Sequence, residues 1–172
     1  MRWIIWICLA AVAAAVQTTV APEVQIGAVR PDYPFLLVVA LGLTAPAARA
    51  LFAAAIVGAF VDLSTQVPLG TFTFVYGMSG FLIVQVREML FREALLSYVL
   101  VTLLCGLLSQ SVIAVLRAVQ DGAGQYQGSL VIEALSAALY TTVWSIPVHG
   151  LYLKCRRLLG LSPRRRLGYS RP

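Results

Sequence analysis

Few residues in this sequence have the type and spacing that chemistry needs. Ser79 stands in Gly77-Met-Ser-Gly80, and His149 is the one histidine of the chain. A serine attacks a carbonyl only when a base such as histidine takes its proton, so this pair would do acyl transfer. Asp62 is an acidic residue closing an apolar run. A carboxylate in a membrane segment is costly and faces protein or water. It reads equally as a polar contact within a bundle or with a partner helix, and as an interfacial group reaching the outer water or capping the next loop. A proton relay needs a chain of such groups, and only one stands out. Cys8, Cys105 and Cys155 lie far apart with no Cys-x-x-Cys pair, so they read as small buried side chains rather than a disulfide framework or zinc site. No phosphate loop, metal constellation or catalytic carboxylate pair occurs. No catalytic, cofactor or metal residue is therefore expected.

The elements that must position these groups are membrane helices. Hydrophobic residues make up 60% of the 172 and charged residues 12%, against about 45–50% and about 25% in soluble domains. The excess sits in blocks near the roughly 20 residues that cross a hydrocarbon core as helix. The blocks are apolar on every side, as in Ala10 to Val16 and Ala94 to Leu104, whereas a barrel strand alternates. The fold class expected is an all-α compact bundle of six transmembrane helices, over about 3–21, 33–48, 50–66, 69–86, 94–116 and 131–153. Residues 1–153 then form one domain, and 154–172 a basic cytoplasmic tail. The first block with Arg2 also fits a signal peptide, with Ala13 and Ala15 near a cleavage site, but it is long for one. The second and third blocks read alternatively as one tilted helix, which would leave five spans. Charge decides for six: with both termini cytoplasmic, eleven of the thirteen Lys and Arg residues lie inside and only Arg30 and Arg117 outside.

Small residues let helices approach in lipid, and steps of three and four place them on one face. Ala50, Ala54, Gly58 and Asp62 form such a stripe, as do Gly70, Thr73, Gly77 and Gly80. Gly106, Gln110 and Ala114 form a third, and Thr141, Ser145 and His149 a fourth. The expectation is a bundle with its third and fourth helices near the centre. The basic cluster Lys154, Arg156, Arg157, Arg164, Arg165 and Arg166 reads as topology setting and contact with anionic lipid. Without interleaved aromatics it is not expected to bind nucleic acid.

Two resemblances follow from these residues. Gly77-Met-Ser-Gly80 resembles the Gly-x-Ser-Gly of rhomboid intramembrane proteases, whose serine and histidine also lie on the fourth and sixth helices. Against it, the residues after His149 are Gly-Leu-Tyr152, the family's paired histidine and asparagine on its second helix are missing, and both residues fall in the cytoplasmic half of the bilayer. Ordered motifs over about residues 1–90 resemble a different family, the rod shape-determining protein MreD. They are Gln17 near the end of the first helix, Pro31-Asp32 opening the second, Gly58-Ala-Phe-Val-Asp62, Leu69-Gly70, Tyr76-Gly77 and Gly80-Phe81. One departure is Ala59-Phe-Val61, where a leucine-rich step is usual.

The second resemblance implies a multi-pass protein of the bacterial inner membrane with no catalytic residues. Its partner would be the bitopic protein MreC, within the elongation machinery that links the actin-like MreB filament to peptidoglycan synthases. It also implies a fold similar to the substrate-binding subunits of energy-coupling-factor transporters. The expected function is thus a non-enzymatic scaffold of the cell-shape machinery, in contact with other elongation proteins and membrane lipids, and open to homo-oligomerisation. Gly58, Asp62, Gly70, Gly77, Gly80, Pro31 and Asp32 are its expected helix-packing or partner contacts. The alternative is a small-molecule-binding transporter subunit docking through Ala10, Ala11, Ala14 and Ala15. It is disfavoured because the outer loops hold few hydrogen-bonding side chains for a pocket.

Overall fold

The computed structural model describes residues 2–26, 29–65, 68–87, 95–120 and 127–158. Six helices follow in order: α1 (Arg2–Thr19), α2 (Tyr33–Thr44), α3 (Ala47–Ser64), α4 (Thr71–Val86), α5 (Leu95–Gln120) and α6 (Gln127–Leu158). Among the described residues there is no strand, only an isolated bridge between Ile26 and Val29. The helices alternate in direction. One end of the bundle gathers the end of α1, the starts of α2 and α4, the end of α3 and the start of α6. It carries Asp32, Asp62 and Glu133 and is called here the acidic end. The opposite end, with Arg49, Arg87 and Lys154, is the basic end.

Three segments are long and apolar enough to cross a membrane, Ala47–Ser64, Leu96–Leu116 and Val131–Tyr152, while α1, α2 and α4 supply shorter apolar stretches. Large apolar side chains such as Phe52, Phe74, Leu96, Leu104 and Val143 face outward. Water would meet far more exposed hydrocarbon than soluble proteins show, and lipid removes that cost. The chain is an α-helical membrane protein.

The most enclosed element is α2, not α3 and α4 as the small-residue stripes suggested. Ten of its 12 residues are buried. At 1.5 Å per residue it is about 18 Å long, short of a hydrocarbon core of about 30 Å. Leu36, Val38, Val39 and Leu41 are apolar on every side, so α2 has no polar face to turn outward and becomes the post around which the others pack.

Helix ends depart from the sequence expectations for local reasons. The second helix stops at Thr44 rather than about 48, because Ala45 is extended ahead of Pro46 and a residue before proline is pushed out of the α region. The third therefore begins at Ala47. The fourth begins at Thr71 rather than 69, because Gly70 at its N-cap has a φ of +99°. Between the expected fifth and sixth helices, residues 117–120 and 127–130 are also helix, since α5 reaches Gln120 and α6 starts at Gln127. A helix need not stop where hydropathy does. Pro147 lies within α6, and its missing N–H leaves the carbonyl one turn back without its usual donor. Cys105 is buried, but Cys8 faces outward rather than into the core.

Candidate functional site

The last turn of α3 and the first turn of α4 are joined by one carboxylate. Asp62 Oδ1 accepts the Phe72 N–H at 2.8 Å, and Oδ2 accepts those of Gly70 at 3.1 Å and Thr73 at 3.0 Å. The Thr73 hydroxyl donates to Oδ2 at 2.6 Å. The first N–H groups of any helix lack partners within it. Here a residue from the preceding helix supplies them, and its negative charge sits at the positive end of the α4 dipole. Asp62 is 3% exposed. It is at once a contact within the bundle and a cap on the next helix. One turn before it, Gly58 lets α3 touch α4: a Cβ there would stand 2.5 Å from the Thr73 Cα and 2.7 Å from the Phe72 carbonyl oxygen. Gly70 uses glycine's freedom differently, turning the chain at its positive φ so that its N–H meets Asp62.

Asp32 performs the same task at the start of α2. Its Oδ1 accepts the Phe35 N–H at 3.0 Å and the Tyr76 hydroxyl at 2.6 Å. Its own N–H donates to Thr141 Oγ1 at 3.1 Å, and the Tyr33 N–H donates to Gln17 Oε1 at 3.0 Å. Four helices thus meet through side chains at one helix start: α1 by Gln17, α4 by Tyr76, α6 by Thr141, with α2 itself. Pro34 fits there because it lies in the first turn. Burial pushes the Asp32 carboxyl up to about 6, the hydrogen bonds from Tyr76 and Phe35 opposing that rise. Asp32, which the sequence places just before the second helix, is buried in the fold. Pro31 precedes it and is buried too.

The four stripe residues of α4 part company. Gly80 packs on α3, where an added Cβ would lie 2.9 Å from Ala54 Cβ. A Cβ at Gly77 would meet nothing within 4 Å, so among the described residues no helix packs against that side of it. The buried face of α4 is instead Phe72, Val75, Tyr76, Ser79, Gly80 and Ile83. On α1, Ala10 and Ala14 turn inward while Ala11 and Ala15 face out.

The Ser79 and His149 pair does not assemble. Ser79 Oγ bonds to the Val75 carbonyl at 2.8 Å and to Ser109 Oγ at 2.8 Å. His149 lies against the Tyr98 ring, centroids 4.4 Å apart, and its Nδ1 is buried without a partner. With its hydroxyl held by Ser109 and by its own helix, Ser79 has no base to activate it.

At the basic end, among the described residues, one cation covers the end of α2. The Arg87 guanidinium donates to the Ala45 and Gly42 carbonyls, covering the end of α2, whose last acceptors would otherwise stay unpaired. Beside it the Thr44 and Tyr152 hydroxyls bond at 2.6 Å. Lys154 is exposed. The side chains of Arg156 and Arg157, and residues Arg164, Arg165 and Arg166, lie outside the described residues, as does the charged connection 88–94.

A cavity of about 520 Å³ opens at the acidic end, lined among others by Gln17, Arg30, Asp32, Tyr76, Gln110 and Glu133. The sequence suggested no polar pocket, because its outer loops hold few hydrogen-bonding side chains. These groups come one each from different helices and from the connection before α2, so no single stretch of sequence reveals them. The signals were present but weak: Gln110 interrupts a small-residue stripe, and Glu133 stands near the start of an apolar block. Among the described residues no group of three or more metal-ligating side chains occurs.

Fold and site define an α-helical membrane protein whose buried polar groups mainly hold helix ends together. The chain belongs to the rod shape-determining protein MreD family, whose model matches residues 1–154 of the 172. That makes it a cell-shape-related membrane protein, of a structural family not known for enzymatic activity. No curated protein and no solved structure matches the chain.

Proposed function

We propose that this protein is a non-enzymatic scaffold of the bacterial elongation machinery. It binds a bitopic MreC-like partner in the inner membrane and helps organise peptidoglycan synthesis, with both termini in the cytoplasm. The family match over residues 1–154 carries the reading. The geometry supports it, because Ser79, Asp62 and Asp32 are each engaged in packing. The partner's single helix would dock on the outer face of α4. There Gly77 leaves a notch flanked by exposed Phe74, Met78 and Phe81, the kind of small-residue gap that admits a second backbone in lipid. The basic tail would hold the cytoplasmic leaflet.

The test is a photo-crosslinker at Met78 in native membranes, followed by mass spectrometry of what is joined. An MreC-like bitopic protein should be recovered, and Gly77→Leu should abolish the crosslink while leaving the bundle folded. Recovery of an ATPase module and its membrane coupler instead would make the chain a transporter subunit. The cavity at the acidic end is the one observation favouring that second reading.

A further inference from the structure

The walls of the acidic-end cavity hold charges and an amide that the bundle does not use. Arg30 gives its Nε–H to Gln25 Oε1 at 2.6 Å, and among the described residues its guanidinium meets no carboxylate within ion-pair distance. Glu133, from α6, likewise has no cationic partner there. The Gln110 amide has no hydrogen bond among the described residues. Asp32 differs, since its carboxylate already serves Phe35 and Tyr76. The Gln17 oxygen is taken by Tyr33, leaving its amide N–H groups to face inward. Beneath these groups the wall is apolar, with Val61, Phe72 and Ile113. The volume falls within the roughly 300–1,000 Å³ of small-molecule sites, which combine apolar walls with a few polar groups that fix orientation.

From this arrangement we infer that the cavity takes a small zwitterion, an anionic group joined by a short linker to a primary amine. The anionic end meets Arg30, where a guanidinium suits a carboxylate or phosphate. The amine meets Glu133. Gln110 and Gln17 hydrogen-bond the linker, and the apolar wall takes its methylenes. A simple cation would bring its charge against Arg30, and a simple anion against Glu133. A ligand bearing both signs meets each wall with the opposite charge and sets no like charges together. Two sources supply this chemistry: the phosphoethanolamine headgroup of a membrane lipid, or a soluble zwitterion such as phosphoethanolamine itself or an amino acid. The inference does not depend on the scaffold reading, since a cell-shape scaffold and a transporter subunit both admit an occupant here.

The experiment is thermal unfolding of the full chain, purified and delipidated in detergent. Probes are soluble phosphoethanolamine, glycine, inorganic phosphate and ethanolamine, and nanodiscs of phosphatidylethanolamine or phosphatidylglycerol. A ligand bound only by the folded chain raises the midpoint with its concentration. A rise of several degrees is expected with at least one zwitterion, and none with phosphate or ethanolamine alone. Arg30→Gln and Glu133→Gln should each abolish the rise while leaving the ligand-free midpoint unchanged, because both side chains are exposed at the cavity mouth. A rise with the soluble compounds identifies a soluble ligand. A rise confined to phosphatidylethanolamine nanodiscs identifies the lipid headgroup. If no zwitterion shifts the midpoint, if either half alone does as well, or if both variants keep the shift, the inference is wrong.

Discussion

The two ends of the bundle solve the same problem by opposite means. At the acidic end the orphan groups are helix N–H donors, and the Asp32 and Asp62 carboxylates accept them, along with the hydroxyls that Tyr76 and Thr73 donate. At the basic end the orphans are the carbonyls of α2, and Arg87 donates to them. Each sign of charge sits where the helix dipole favours it. The difference lies in how many elements depend on each device. Asp62 joins α3 to α4, and the start of α2 is tied to α1, α4 and α6. Arg87 joins the start of one connection to the end of one helix. The acidic end should therefore govern the architecture, and damage there should cost more than equal damage at the basic end.

The largest effect is expected from Asp62→Ala. It strands three backbone N–H groups and the Thr73 hydroxyl; the Phe72 N–H is buried and the other three are part-buried. A buried unsatisfied donor costs about 1–3 kcal/mol and a part-buried one less. The protein should lose most of its folded population in detergent, measured by unfolding midpoint and by accumulation in membranes. Asp62→Asn keeps one acceptor oxygen and should fall between. Gly58→Ala comes next, because the new methyl meets α4 backbone that no side-chain rotation can clear. Overpacking of this kind costs about 1–3 kcal/mol. Gly77→Ala, with open space around it, should leave the midpoint unmoved, and a matched loss there would show that the α4 register is different. Arg87→Met tests the other end. Losing its bonds to the α2 carbonyls should cost about 1–2 kcal/mol, and a drop as large as that of Asp62→Ala would erase the distinction between the ends.

The smallest effect concerns pH. Burial raises the Asp32 carboxyl from 3.8 to about 6, so between those values the folded chain holds more protons than the unfolded one. Stability should fall as pH climbs through that window and level off above it. Asp32→Asn cannot ionise, yet still accepts from Phe35 and Tyr76, and should flatten the midpoint between about pH 4 and 6. An unchanged slope would show that another group titrates there.

The number of helices and the exceptional position of Asp62 were legible because each leaves a local mark. A helix in lipid shows as an apolar block, and a carboxylate closing such a block stands out. What escaped was set by contacts far apart in sequence. The burial of Asp32 depends on Tyr76 and Thr141, and no local pattern shows that a polar connection folds into the bundle. The central place of α2 was hidden because a short helix apolar on all sides has no stripe to read. Gly77 and Gly80 look alike at helical spacing, yet only Gly80 meets α3. The cavity was missed because its polar groups are single residues on different helices that only packing gathers.

On the proposed reading, the buried polar side chains Asp32, Asp62 and Ser79 hold helices to one another, and Ser79 and His149 perform no chemistry. The most direct measurement is the shape of cells whose only copy carries either Asp62→Ala or the double variant Ser79→Ala with His149→Gln. The account predicts rounded cells with the first and rods with the second. Rounded cells from the double variant, accumulating at the normal level in the membrane and folded, would contradict it and return Ser79 and His149 to a catalytic role.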